Sequence, residues 1–496
     1  MMAARALLVS AMTASAFAAP ALAQDACGAL ENYREGHTTV VSARSVSDEG
    51  HTPFCSVEGV STPGEGSRIG FAVMLPSKSA WTGRLRMFGN GGYSSTMPTE
   101  RMIASAKRGT VAVATDTGHR GDDPSFAIGR PASVDDWGWR AVHESVKAAK
   151  ALAHAYYGMA PRYNYFEGCS TGGHQALMEA QRFPDDFDGI VAGAPGSNRT
   201  RLNLGFLWQF KATHGEDGAL LFAPAKLRLL TRHALASCGS AAEQAAGFLL
   251  DPLICRPDPG GLQCDAGDDG AQCLTPHEVS SARLMYAGAR TTSGEQVYPP
   301  WLPGSESIGP PDFPLPGWSL YWADPARPDR PARESFFRFW AFPGERWHWQ
   351  DFDFDTAVKR MQQLSERIDA VDADLSAFRA SGGRLLQFHG LADPVVSPWD
   401  SVAYHAEVVR RSGPDAGSFY RLFMVPGMGH CAGGPGYGAL ETGSAIEAWV
   451  ERGIAPASLT GIRTDEGGRG MLPDAIEVNP WEEGVGLDAV RVRAPR

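Results

Sequence analysis

Residues 163–175 read YNYFEGCSTGGHQ, and within them Gly168, Ser170 and Gly172 are spaced as G-x-S-x-G. That spacing can display a nucleophilic serine on a tight strand-to-helix turn, where glycine lets two backbones approach. Alone the motif is weak, because a chain with 57 glycines meets it by chance. A serine hydroxyl also needs a base to take its proton, and the base needs a carboxylate to orient it. Downstream, LLQFHGLADPVVSP puts Asp393 just past a strand-like run, and LFMVPGMGHCAGG puts His430 just past the next. Singly, Asp393 reads as a turn residue before Pro394 and His430 as a loop histidine. Ordered behind the serine turn, each in a loop after a strand, they read as a triad of nucleophile, carboxylate and base. Acyl transfer also needs donors for an oxyanion. The backbone N–H of Thr171 is one candidate. Gly92, in FGNGGY (88–93), is the other, against the plainer reading of a glycine turn.

Cys169 precedes the serine and Cys431 follows the histidine. If Ser170 and His430 meet, their neighbours come within disulfide range. So long a closed loop gives on the order of 5 kcal/mol at best; holding the base against the nucleophile matters more, because small misplacements are costly. The rival readings are a buried inert Cys169 and a thiol nucleophile.

These residues need a scaffold. RLRMF (84–88), GTVAVATD (109–116), YNYF, FDGIVAGAP (187–195), GGRLLQFHG (382–390) and FYRLFMVPG (419–427) read as strands. Residues 135–158 read as a helix with Val142, Val146, Ala149, Leu152 and Ala153 on one stripe; GHQALMEAQRF and 437–453 read as helices too. Strands alternating with helices predict an α/β protein with a parallel sheet covered on both faces. From about 198 to 375 the pattern breaks into Pro- and Trp-rich turns with four of the cysteines, which predicts an inserted, disulfide-stapled segment serving as a lid. The expected organisation is a leader at 1–23, a first core part at 24–197, the lid at 198–375 and a second core part at 376–496.

The leader has Arg5, a short apolar run and ALA at 21–23, the form of a cleavable export signal, so the mature protein is expected to be secreted or periplasmic. All eight cysteines follow it, an even count that fits an oxidising compartment. A net charge of −11 argues against nucleic acid or an anionic membrane as the main partner.

GNGG (89–92), RAVHESVKAAKALAHAYYG (140–158), YFEGCSTGGHQALMEAQRFPDDFDGIVAGAP (165–195), FHGLADPVVSP (388–398) and PGMGHCAGG (426–434) together resemble the tannase and feruloyl esterase family of α/β-hydrolases. The resemblance implies an α/β-hydrolase fold with a large lid, a serine esterase acting on esters of aromatic acids, the disulfide Cys169–Cys431, and the pairs Cys27–Cys55, Cys238–Cys255 and Cys264–Cys273. It places a substrate-lining histidine at His389, which read by itself could equally be a strand-end residue. In the lid, Trp318, Phe336, Phe337, Phe339 and Trp340 are candidate stacking surfaces for a flat acyl group, or simply lid core. Arg338 among them could pair with a substrate carboxylate, or be an ordinary solvated arginine.

The family's lid loop usually holds Ca²⁺ with three carboxylates. In the matching CGSAAEQAAGFLLDPLIC (238–255) those positions are Gly239, Ala242 and Ala246. Calcium takes six to eight oxygens, so no metal and no other cofactor is expected there. The acidic CDAGDDGAQC (264–273), with Asp265, Asp268 and Asp269, could hold a different ion, but reads first as a short solvated disulfide loop. The leading function is an exported carboxylic ester hydrolase with a small aromatic ester as substrate. The alternatives are a serine peptidase or amidase on the same fold, and a binding protein that keeps the turn as architecture.

Overall fold

The computed structural model describes residues 26–47, 53–268, 270–309, 317–465, 470–482 and 491–492; the expected leader and Asp269 lie outside them. One sheet collects β1 (Arg34–Glu35), β2 (Thr38–Val46), β3 (Phe54–Ser61), β4 (Ile69–Pro76), β5 (Arg84–Phe88), β6 (Val111–Thr115), β7 (Tyr163–Cys169), β8 (Gly189–Gly193), β9 (Arg384–Gly390) and β10 (Tyr420–Val425). In space the order is β1-β2-β3-β4-β6-β5-β7-β8-β9-β10. Pairs from β1 through β4 to β6 are antiparallel, and every pair from β6 to β10 is parallel. The parallel strands are buried on both faces, so β6 (VAVAT) and β8 (GIVAG) read as unbroken small and apolar runs.

Successive residues of a strand face opposite sides. Val111 and Val113 join one apolar cluster with Val142, Val146 and Leu152 of the helix Ala141–Tyr157 and Leu177 of the helix Thr171–Arg182. Ala112 and Ala114 face the other way, against Met102 and Ala106 of the helix Thr99–Lys107. Farther along that face, Ile446 and Trp449 of the helix Gly443–Arg452 pack on Tyr165 and Val191.

The chain leaves the sheet after β8 and returns in β9, the neighbouring strand. The ends of the intervening segment meet, with Ala370 N–H donating to the Ser197 carbonyl at 2.9 Å. The composition of this segment predicts a run of turns, and the structure corrects that. The segment contains the helices Arg199–Thr213, Leu227–Cys238 and Pro276–Ala287 around an aromatic core. The first of these is buried on almost every side, so no apolar stripe marks it in the sequence. Four antiparallel strands also precede Arg84, where the first strand expected from the sequence begins. A second sheet of four antiparallel strands (439–440, 459–464, 471–478, 491–492) lies near the C-terminus, and the expected helix at 437–453 is shorter. Among the described residues no helix is long and apolar enough to cross a membrane.

Candidate active site

β7 ends at Cys169 and the next helix starts at Thr171, which leaves Ser170 alone on the turn at φ +62°, ψ −118°. Such a conformation costs a non-glycine residue about 1–3 kcal/mol, so the surroundings must hold it. They do so through the backbone. Ser170 N–H donates to the Gly193 carbonyl at 3.0 Å, and the Ser170 carbonyl accepts from His174 and Gly196 N–H at 3.0 and 3.1 Å. The glycines of the motif are steric requirements: a Cβ on Gly168 would lie 2.5 Å from the Gly172 carbonyl, and one on Gly89 would lie 2.6 Å from Gly172 Cα. The serine turn and the GNGG loop therefore pack backbone against backbone.

Asp393 follows β9 and is wholly buried, and His430, in the loop after β10, is part-exposed. His430 Nδ1 donates to Asp393 Oδ2 at 2.7 Å, and Asp393 Oδ1 accepts from Val395 and Val396 N–H at 2.7 and 3.0 Å. Burial by itself would raise the Asp393 carboxyl. The charge of His430 and hydrogen bonds from His389 and His430 outweigh it and hold the group well below the ordinary carboxylate range. Cys431, next to His430, sits at φ +67° and is bonded to Cys169, with Cα atoms 5.9 Å apart. One covalent bridge thus joins the residues flanking Ser170 and His430.

Thr171 opens its helix, so its N–H has no intrahelical acceptor. Its hydroxyl accepts from Arg199 Nη2 at 2.8 Å. Gly92 adopts φ +52° with open space where a Cβ would be. Asn90 anchors this loop: its N–H donates to Gln175 Oε1 at 3.1 Å and its Nδ2 to the Thr115 carbonyl at 3.0 Å. Buried His119 approaches the Tyr93 carbonyl at 2.7 Å. Arg199 is buried, its guanidinium pushed below its usual value by burial, and lies over the rings of Tyr93 and Trp137. Asn90 carried a signal, a polar residue fixed between glycines. Arg199 and His119 carried none, since each is a lone polar residue whose partners are distant in sequence.

The other disulfides are Cys27–Cys55, Cys238–Cys255 and Cys264–Cys273. Most of the residues expected to line the substrate lie inside the protein. His389 is fully buried behind Asp393, its Nε2 3.2 Å from Asp393 Oδ2 and its Nδ1 2.7 Å from Ser401 Oγ, so both nitrogens are used within the core. Trp318 and Phe337 are buried in the core of the inserted segment, Trp318 donating to Ser305 Oγ at 2.9 Å and Phe337 stacked on Trp347. Trp340 is also buried; it donates to the Pro124 carbonyl at 2.8 Å and packs edge-on against Tyr93 and Trp137, joining insertion to core. Phe336 is equally enclosed, and Phe339 is partly buried against the same core. Arg338 is exposed over Phe339 and lines a surface cavity of about 710 Å³ with Tyr321 and Arg333; no triad residue lines it.

In the 238–255 loop, Glu243 caps the helix Ala241–Ala246, accepting from Ser240 N–H and Leu250 N–H at 2.8 Å each. Its carboxylate is thus occupied by backbone. Gly239, Ala242 and Ala246 contribute no side-chain oxygen.

A parallel sheet with a strained serine after β7, an aspartate after β9 and a histidine after β10 defines an α/β-hydrolase fold. The family model described as "Tannase and feruloyl esterase" matches residues 55–477, and the chain belongs to that family. An uncharacterized esterase of Xanthomonas campestris is 34% identical over 94% of this chain and 90% of its own. A probable feruloyl esterase B-2 of Aspergillus terreus is 30% identical over 83% and 81%. Among solved structures, feruloyl esterase B from Aspergillus oryzae superposes with a TM-score of 0.82 at 25% identity, covering 95% of this chain and 100% of that one. The protein is an esterase.

Proposed function

We propose that the protein hydrolyses esters of aromatic carboxylic acids through an acyl-enzyme on Ser170. The observation that carries this reading is the Asp393–His430 hydrogen bond of 2.7 Å, bridged to the Ser170 turn by Cys169–Cys431. Ser170 Oγ adds to the ester carbonyl carbon as His430 Nε2 takes its proton. The carbonyl oxygen becomes an oxyanion, met by the N–H groups of Thr171 and Gly92. Asp393 holds His430 with Nδ1–H inward and stabilises the imidazolium that forms. His430 then gives its proton to the departing alkoxide, leaving an ester on Ser170. Water attacks that ester with His430 again as base, releasing the acid and restoring the serine. The aromatic acyl class rests on the feruloyl esterases among the relatives. The inserted segment serves as the lid, and the disulfides fit export to an oxidising compartment.

A panel of methyl ferulate, methyl gallate, a terephthalate monoester and alkyl esters, assayed for acid release, tests the reading. Aromatic esters should be cleaved best, and Ser170→Ala should cleave none. An active Ser170→Ala protein would sink the mechanism; exclusive cleavage of alkyl esters would sink the substrate class.

A further inference from the structure

Behind Asp393 runs a string of buried polar side chains that the mechanism above leaves unused. Tyr420 opens β10, Gln387 and His389 lie on β9, and Ser401 lies on the helix Pro398–Ser412; none is more than 1% exposed. Tyr420 Oη is 2.6 Å from Gln387 Oε1, and Gln387 Nε2 is 2.7 Å from Ser401 Oγ. Ser401 Oγ is 2.7 Å from His389 Nδ1, and His389 Nε2 is 3.2 Å from Asp393 Oδ2. With the amide oriented in this way, each proton has one direction. Oε1 only accepts, so the Tyr420 hydroxyl donates to it. Nε2 of Gln387 only donates, so Ser401 Oγ accepts, and its own hydrogen goes to His389 Nδ1. His389 Nε2 faces two acceptors, Asp393 Oδ2 and the Val396 carbonyl at 3.1 Å, so it carries a hydrogen. His389 is then a neutral imidazole.

We propose that Tyr420, Gln387, Ser401 and His389 are positioning residues that hold the Asp393 carboxylate against His430 while keeping His389 uncharged. The proposal rests on Asp393 and His430 being the catalytic pair. Two consequences follow from the chemistry. His389 supplies a second donor to Oδ2, and with the Val395 and Val396 N–H groups on Oδ1 it stops the carboxylate from turning. A neutral His389 also leaves the full charge of Asp393 to the imidazolium at His430; a cation in its place would compete for the same oxygen in a low-dielectric core. His389→Leu removes the Nε2 donor and so loses the first of these, the restraint on Oδ2.

The test is steady-state hydrolysis of 4-nitrophenyl acetate by wild type, Ser170→Ala, His389→Leu, His389→Gln and Ser401→Ala, from about pH 5 to about pH 9, with melting temperatures in parallel. His389→Leu should lower kcat about tenfold or more with KM within about twofold. It should also move the acid limb of kcat/KM upward, because Asp393 with one donor fewer binds protonated His430 more tightly. His389→Gln, whose Nε2 can reach the same oxygen, should recover most of the rate. Ser401→Ala should lose about threefold in kcat and carries the test if His389→Leu does not fold. A folded His389→Leu, or failing that Ser401→Ala, with wild-type kcat and acid limb would overturn the inference, as would a lowered melting temperature with kcat intact. An active Ser170→Ala would instead overturn the mechanism on which it rests, so the two failures are distinct.

Discussion

Asp393 and Asp400 lie seven positions apart and are both buried, yet their surroundings drive them in opposite directions. Asp393 receives two backbone N–H groups on one oxygen and two histidines on the other, and stays ionised far below the usual range. Asp400 lies in the first turn of the helix Pro398–Ser412; Asn198 donates to it, but among the described residues its Oδ2 has no hydrogen-bond partner. Burial, with the carboxyl of Asp369 nearby, pushes it up to about 7. Burial alone penalises a carboxylate; the donors aimed at it decide the sign. A loop that must present a permanent negative charge to a histidine therefore has to be built around that charge. The start of the neighbouring helix has no such duty.

The largest expected effect separates these two residues by activity. Asp393→Asn keeps the shape and removes the charge, and kcat should fall by about 10³–10⁴. Asp400→Asn should leave kcat within about twofold. Equal losses in the two variants would break the comparison.

Next comes the bridge beside the histidine. Replacing Cys169 and Cys431 together by serine should lower kcat about tenfold at a temperature where the protein stays folded, because the base is then less firmly held to the nucleophile. Replacing Cys238 and Cys255, which close 17 residues in the insertion, should affect melting temperature and not kcat. If both pairs behave alike, the bridge has no positional role.

The pH dependence of stability should also split. The folded Asp393 carboxyl is depressed, so it stabilises the fold above its unfolded value of about 3.9, and that contribution fades as pH falls below it. Folded Asp400 is raised, so the fold binds its proton more tightly than the unfolded chain does. Stability should then drop as pH rises from about 4 to about 7. Asp400→Asn should raise the melting temperature at pH 8 by a few degrees and leave it unchanged at acid pH, whereas Asp393→Asn should lower it at neutral pH. Thermal melts across this range decide the matter; a reversed order would refute the assignment. Smallest of all, EDTA and added Ca²⁺ should leave melting temperature and activity unchanged, since Glu243 already caps its helix and positions 239, 242 and 246 supply no carboxylate. A loss on chelation restored by calcium, and traced to 238–255, would contradict this.

The parallel half of the sheet was legible in the sequence because strands buried on both faces must be apolar and bounded by turns, as at 111–115 and 189–193. The serine turn was legible because a Cβ on Gly168 would meet backbone at 2.5 Å and one on Gly172 at 3.1 Å, approaches that favour glycine. The helix Arg199–Thr213 was not, since a helix enclosed on all sides has no polar face to give it a period. Nor was the orientation of His389. Its neighbours Ser401, Gln387 and Asp393 come from separate elements, and spacing along the chain does not say whether a strand-end histidine faces a ligand or a carboxylate. The burial of Trp318 and Phe337 was hidden for a related reason: both are as apolar as a substrate surface, and only packing distinguishes that use from core.

In the proposed mechanism the acyl group passes through Ser170. Intact-protein mass spectrometry after brief reaction with an activated aryl ester at mildly acid pH, followed by peptide mapping, tests it most directly. A single acyl adduct is expected on the peptide containing Ser170, disappearing as hydrolysis completes and absent in Ser170→Ala. Hydrolysis at the same rate with no adduct on Ser170, or with the acyl group on another residue, would contradict it.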